Sequence, residues 1–300
     1  TSPAVIYKAV DHEANFGQPG HGGFEQREPD PEKQPFWGPL DELNHFVSQA
    51  SDQEFFDPAK GIASRLDVDN AIDFHLLVLM TSNLDGITKN YNLIRAGSTT
   101  VTPNPKFSFV PWDYDGTFGR NWDSSPVDAK TWLSNRLFDR LLGNPLYKAK
   151  YAQRWRELRG KACTTSNLGR MMDENAATLG PAALRNERRW KQLNYADPQA
   201  LTLANDIRQM KRWTASRLEW LDAEVARRAD QTLAEMPTPD AVHEHAGGQG
   251  VGAAGDGEGE LAAAAAFIER QAIGTGEHFE ELARGDGAAL VAVTADVDIA

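Results

Sequence analysis

The segment from Leu66 to Gly119 constrains the fold more than any other part of this chain, because apolar runs and acid-bearing polar runs alternate along it in short blocks. Ile72, Leu76, Leu79 and Met80 recur at helical spacing. Asp67 and Asp69 stand just ahead of them, where carboxylates accept first-turn N–H groups and oppose the positive end of the helix dipole. A calcium loop drawn through Asp67, Asp69 and Asp73 lacks the Gly and the distal Glu of an EF-hand loop, so capping is the reading taken. Two β-rich runs follow, Tyr91–Arg95 and Lys106–Val110, and the polar connection between them predicts a hairpin with a long loop.

Each end of that pattern carries candidate chemistry. Asn83-Leu84-Asp85-Gly86-Ile87-Thr88-Lys89-Asn90-Tyr91-Asn92 lies between the apolar helix and the first strand, where a rigid scaffold displays working groups. Asp85 followed five residues later by Asn90 has the spacing of a protein-kinase catalytic loop, although Asp and Asn are also ordinary turn residues. After the second strand comes Phe109-Val110-Pro111-Trp112-Asp113-Tyr114-Asp115-Gly116-Thr117-Phe118-Gly119. Asp113 and Asp115 offer hard oxygen ligands for magnesium; the competing reading is an acidic turn bent at Gly116 over Trp112 and Phe118. A catalytic loop, a hairpin and then a metal-binding Asp with Gly is the order kinases use, and the hairpin brings both acids to one end of a sheet.

The remainder is read more coarsely. Residues 1–39 predict one strand around Val5–Tyr7 and then a long loop, with Gly20-His21-Gly22-Gly23 as a flexible stretch and no second strand after it. Two helices are expected between 40 and 83, the second being the one capped at Asp67. From Thr131 to Arg228 the leucine, methionine and tryptophan spacing is helical, with the tryptophans as core or interface anchors. His75 falls inside the apolar helix as a hydrogen-bonded core histidine.

Residues 1–235 therefore form one expected domain, and 236–300 an acidic Gly/Ala-rich tail or linker. The tail carries 12 acidic and 2 basic residues of the chain's net −12, so the body is close to neutral. No dense basic surface for nucleic acid is expected, with Arg185, Arg188 and Arg189 left as local anion contacts. Cys163 is the lone cysteine, which excludes an intramolecular disulfide and a thiolate zinc cluster. The longest apolar runs, Leu76–Met80 and Leu261–Ile268, are too short for a membrane span. His243, Glu244 and His245 are read as part of the tail and not as metal ligands.

Leu66-Asp67-Val68-Asp69-Asn70 with Phe74, Asp85 with Lys89-Asn90-Tyr91, and Pro111-Trp112-Asp113-Tyr114-Asp115 with Thr117-Phe118-Gly119 resemble the CotH kinase family. Ile6-Tyr7-Lys8-Ala9 resembles that family's lead-in to its C-terminal lobe, so the likeness covers roughly residues 5–225. The resemblance implies an α+β, atypical protein-kinase-like fold, mostly the helical C-terminal lobe with a short β-hairpin carrying the active-site loops. It implies transfer of the γ-phosphate of ATP to Ser/Thr hydroxyls of a protein substrate, with Mg2+ or Mn2+. Asp85 would be the catalytic acid and Lys89 would reach the transferring phosphate or stay solvated. Asn90 and Asp113 would hold cofactor and metal, and Asp115 would either join the metal or brace its loop. An exported or cell-surface setting, with surface or coat proteins as partners, is implied as well. The family's N-terminal lobe, with the basic residue that holds ATP phosphates, is expected upstream of Tyr7. Two other functions compete: a non-catalytic adhesion or coat-assembly module on the same scaffold, and an Asp-x-Asp glycosyltransferase, against which no alternating strand–helix series precedes Asp113.

Overall fold

A computed structural model describes residues 2–189 and 202–235. The element order is β1 (Val5–Ala9), β2 (Phe24–Glu28), α1 (Gly38–Gln49), α2 (Asp52–Phe55), a 3-10 turn at Ile62–Ser64, α3 (Val68–Thr81), β3 (Tyr91–Arg95), β4 (Phe107–Pro111), α4 (Arg136–Gly143), α5 (Pro145–Gly160), α6 (Thr165–Arg189) and α7 (Leu203–Glu235). The described residues thus combine seven α-helices with one four-stranded antiparallel sheet in the order β2-β1-β3-β4.

The hairpin β3–β4 forms where the sequence pattern places it, but it is half of a sheet and not an isolated ribbon. Two corrections follow. The expected single strand in residues 1–39 is a pair, because β2 comes directly after Gly20-His21-Gly22-Gly23 and pairs with β1. Only Phe24 and Gln26 of β2 turn inward, while Glu25, Arg27 and Glu28 are exposed, so its hydrophobic signal is weak. The glycine stretch is also anchored: His21 stacks on Trp37 at 4.1 Å and Asn44 Nδ2 donates to Gly20 O at 2.6 Å. Between 40 and 83 the two long helices expected are α1 and α3, and the short α2 and a 3-10 turn stand between them.

One sheet face is the core. Val5, Tyr7, Ala9, Tyr91, Leu93, Phe107 and Phe109 alternate onto it, and α3 covers it with Phe74, which stacks on Phe109 at 4.5 Å. The outer edge of β4 is closed by α3 and the residues before it: Phe107 N donates to Arg65 O, Asp67 N donates to Phe107 O, and the Asn70 carboxamide bonds both backbone groups of Phe109. Asp67 caps α3 by accepting from Asn70 N at 3.1 Å. Asp69 pairs with Lys150 and Asp73 with Arg154, so the three carboxylates have separate partners and form no calcium loop.

The helical half locks onto α3. His75 is fully buried, its Nε2 2.9 Å from Leu133 O and its ring stacked on Phe138 at 4.1 Å; burial pushes its pKa down to about 4, as expected for a neutral core histidine. From α7, the fully buried Arg217 donates to Leu79 O, Ala129 O and Thr131 O at 2.7–2.8 Å. Leu79 O belongs to the last turn of α3, where carbonyls carry the negative end of the helix dipole. Burial pulls the Arg217 pKa down to about 10, which leaves it charged at neutral pH. Among the described residues no helix is long and apolar enough to cross a membrane. The segment 236–300, with the tail and its histidine pair, lies outside the described residues.

Arg217→Met keeps most of the volume and removes the guanidinium donors from the carbonyls of Leu79, Ala129 and Thr131. It is expected to cost about 3 kcal/mol, measured by urea unfolding; a loss under about 0.5 kcal/mol would contradict this role for Arg217.

Candidate functional site

Helix α3 ends at Ser82, which takes the left-handed conformation (φ 52) and returns its N–H to Leu79 O and Val78 O. That turn aims Asn83 inward. Asn83 Oδ1 accepts from Gly86 N at 2.9 Å, and its Nδ2 donates to Asp113 O at 3.2 Å, so one buried side chain bonds both loops. Gly86 is required by this approach, since a Cβ there would stand 2.7 Å from the Asn83 carboxamide.

Beyond it the chain makes one helical turn, with Thr88 N and Lys89 N both donating to Asp85 O. The turn places Lys89 beside Asp85, and Lys89 Nζ lies 3.1 Å from Asp85 Oδ2. His12, from the β1–β2 connection, bonds Thr88 Oγ1 through Nδ1 at 2.7 Å and holds Nε2 3.8 Å from Asp85 Oδ1. Asn90 then enters β3 with φ 58, its N–H donating to Ala9 O and its carbonyl accepting from Trp112 N at 3.0 Å.

The second loop leaves β4 from the same end of the sheet, because Tyr91 is in register with Pro111. Asp113 is left-handed (φ 59), a conformation Asp and Asn tolerate better than most residues. Asp115 Oδ1 accepts from Gly116 N at 2.7 Å. Phe118 N donates to Thr81 O, which fastens this loop to the end of α3. Gly119 (φ 94) passes against α7 so closely that a Cβ would meet Trp213 and Gln209.

Partial burial and the Asp115 carboxylate, which shares a hydrogen bond with Asp113, raise the Asp113 pKa; Asp85 adds to the rise and Lys8 opposes it. Asp85, Asn90, Asp113 and Asp115 are thus gathered at one end of the sheet. Lys89 is turned onto Asp85 and is 26% exposed, between the two readings the sequence left open.

A family model described as CotH kinase protein matches residues 3–221. The chain belongs to this family. The CotH match contains both loops and every candidate residue between Asp85 and Asp115. A curated relative, "Inner spore coat protein H" of Bacillus subtilis (strain 168), is 38% identical over 60 residues, which is 20% of this chain and 15% of that protein. The chain is therefore matched to that relative over a small part of either length.

The donor set suits a divalent cation shared with phosphate oxygens. Two carboxylates already repel one another at Asp113 and Asp115, and a bound cation would relieve that repulsion. Among the described residues no three His, Cys, Asp or Glu side chains stand together as a complete protein metal cage. Sequence reasoning missed Asn83, His12 and Lys8. Asn83 stands three residues before Gly86, an Asx-turn signal that was legible, whereas the reach of His12 from a distant loop was not.

Because the folded-state pKa of Asp113 is raised, the folded protein binds that proton more tightly than the unfolded chain. Stability therefore falls as pH rises through the carboxylate range and stays lower above it. Asp113→Asn, melted in EDTA, should raise Tm at pH 7 by about 1–3 °C, and the gain should vanish below about pH 4. An unchanged or lower Tm at pH 7 would contradict the repulsion.

Proposed function

We propose that this protein is an atypical protein kinase that transfers the γ-phosphate of ATP to serine or threonine hydroxyls of protein substrates in the presence of Mg2+ or Mn2+. The observation that carries this reading is the junction of the two loops. Asn83 and the backbone bonds Trp112 N to Asn90 O and Phe118 N to Thr81 O hold a base-bearing turn and an acidic pair at one sheet end. Phosphoryl transfer needs positioning and charge neutralisation more than covalent chemistry, and this end supplies groups for both.

In this reading Asp113 and Asp115 hold the cation, with Asn90 as a neutral oxygen donor beside them. When bound, the cation neutralises charge on the phosphate oxygens. Asp85 orients the attacking hydroxyl and accepts its proton on a carboxylate oxygen. Lys89, its Nζ 3.1 Å from Asp85 Oδ2, aims that carboxylate. A kinase-like fold is part of the same proposal: α3, the catalytic turn, the hairpin and the acidic loop follow one another in the kinase order. The wholly antiparallel sheet of the described residues gives no support to the glycosyltransferase reading. The name of the Bacillus relative makes spore-coat or surface proteins the partners to try first, and a coat or surface location the one to look for.

The test is transfer of labelled γ-phosphate by the full-length protein with Mg2+ or Mn2+. Asp85→Ala and Asp113→Ala should each lower the rate about 10²–10⁴-fold with folding retained. Activity kept in both variants would overturn the assignment, and no transfer by a folded wild type would favour the adhesion or coat-assembly module.

A further inference from the structure

The side of the sheet away from the core carries Lys8, next to the last residue of β1. Its register partners are Asn92 on β3 and Glu25 on β2, so it stands in the row adjoining the strand ends from which both loops spring. Its Nζ lies 4.6 Å from the ring centroid of Trp112, the residue that precedes Asp113. Trp112 is itself fixed through its N–H on Asn90 O and is 38% exposed.

Two cations therefore border the site, and they are used differently. Lys89 is committed to Asp85 at 3.1 Å. Lys8 rests on an aromatic face, which attracts an ammonium without neutralising it, and forms no ion pair within 4.0 Å among the described residues. It is nonetheless near enough to Asp113 for its charge to act there. An aromatic platform that orients an ammonium without neutralising it leaves the charge available to an incoming anion.

We infer that Lys8 is a phosphate-binding residue of this site, its ammonium contacting the polyphosphate of a nucleoside triphosphate whose cation is held by Asp113 and Asp115. The inference rests on the kinase reading above and deepens it, because it supplies from β1 a basic residue that the sequence led one to expect only upstream of Tyr7. One divalent cation shared between two carboxylates and a triphosphate would compensate only part of the phosphate charge. Lys8 meets part of that remainder as a point charge, the manner in which lysine holds phosphate. In this arrangement Trp112 is a positioning residue, setting where the ammonium points.

Equilibrium binding measured by calorimetry on the full-length protein with Mn2+ tests this, with ATP and adenosine as probes. Lys8→Met keeps an unbranched stem on Trp112 and removes the charge. ATP should bind about tenfold more weakly, adenosine unchanged, and the salt dependence of ATP binding should decrease. Lys8→Arg should recover most of the affinity, and Lys8→Gln stands in if Lys8→Met does not fold. In the transfer assay KM for ATP should rise more than kcat falls. Equal ATP affinity in wild type and Lys8→Met overturns the Lys8 assignment alone. Parallel losses for ATP and adenosine also overturn it, since they mark a structural role. A folded wild type that binds no ATP overturns the kinase reading and this inference together.

Discussion

The buried carboxamide of Asn83 is the constraint from which the rest of the site follows. Its oxygen takes the N–H of Gly86 and its nitrogen reaches the carbonyl of Asp113, so two loops separated by a hairpin share one side chain. The bond works because both ends are held independently. Behind Asn83, Ser82 turns the chain out of α3 in a left-handed conformation, and Arg217 from α7 bonds the Leu79 carbonyl in the same last helical turn. In front of it, the register of Tyr91 with Pro111 fixes how far the acidic loop can stray. The sheet and helices thus act as a frame for loops that have little apolar burial of their own.

The electrostatics of that end run against stability, which is a mark of functional sites. Asp113 sits in a left-handed conformation beside Asp115, and Asp85 adds a third negative charge within range. The cations nearby compensate in part. Lys89 answers Asp85 directly, and Lys8 acts on Asp113 from the face of Trp112. In the proposed phosphoryl transfer, a cation brought in with phosphate would complete the balance.

Much of this was legible in the sequence, for identifiable reasons. The helix at Val68–Thr81 has long apolar periodicity and a capping Asp67, and the hairpin has two clean β-rich runs, so both came out close to their observed bounds. The resemblance of the Pro111–Gly119 string pointed to the family that the match over residues 3–221 then showed. The second strand was hidden because Glu25, Arg27 and Glu28 outnumber its inward residues, and its pairing with β1 is a tertiary fact. Asp115 could not be resolved between bracing and ligation because it has two oxygens, one of which accepts from Gly116 N. Lys8 was visible only as part of the Ile6–Ala9 string, since its place beside the site depends on a tryptophan more than a hundred residues away.

The central claim is that the two loops form one cation site anchored on Asp113. It is tested most directly by electron paramagnetic resonance of Mn2+ titrated into the full-length protein, with and without ATP, for wild type and Asp113→Asn. The account predicts bound Mn2+ in the wild type, tightened by ATP, and its loss in Asp113→Asn despite a folded, more heat-stable protein. Mn2+ binding that is absent from the wild type, or unchanged by the substitution, would contradict it.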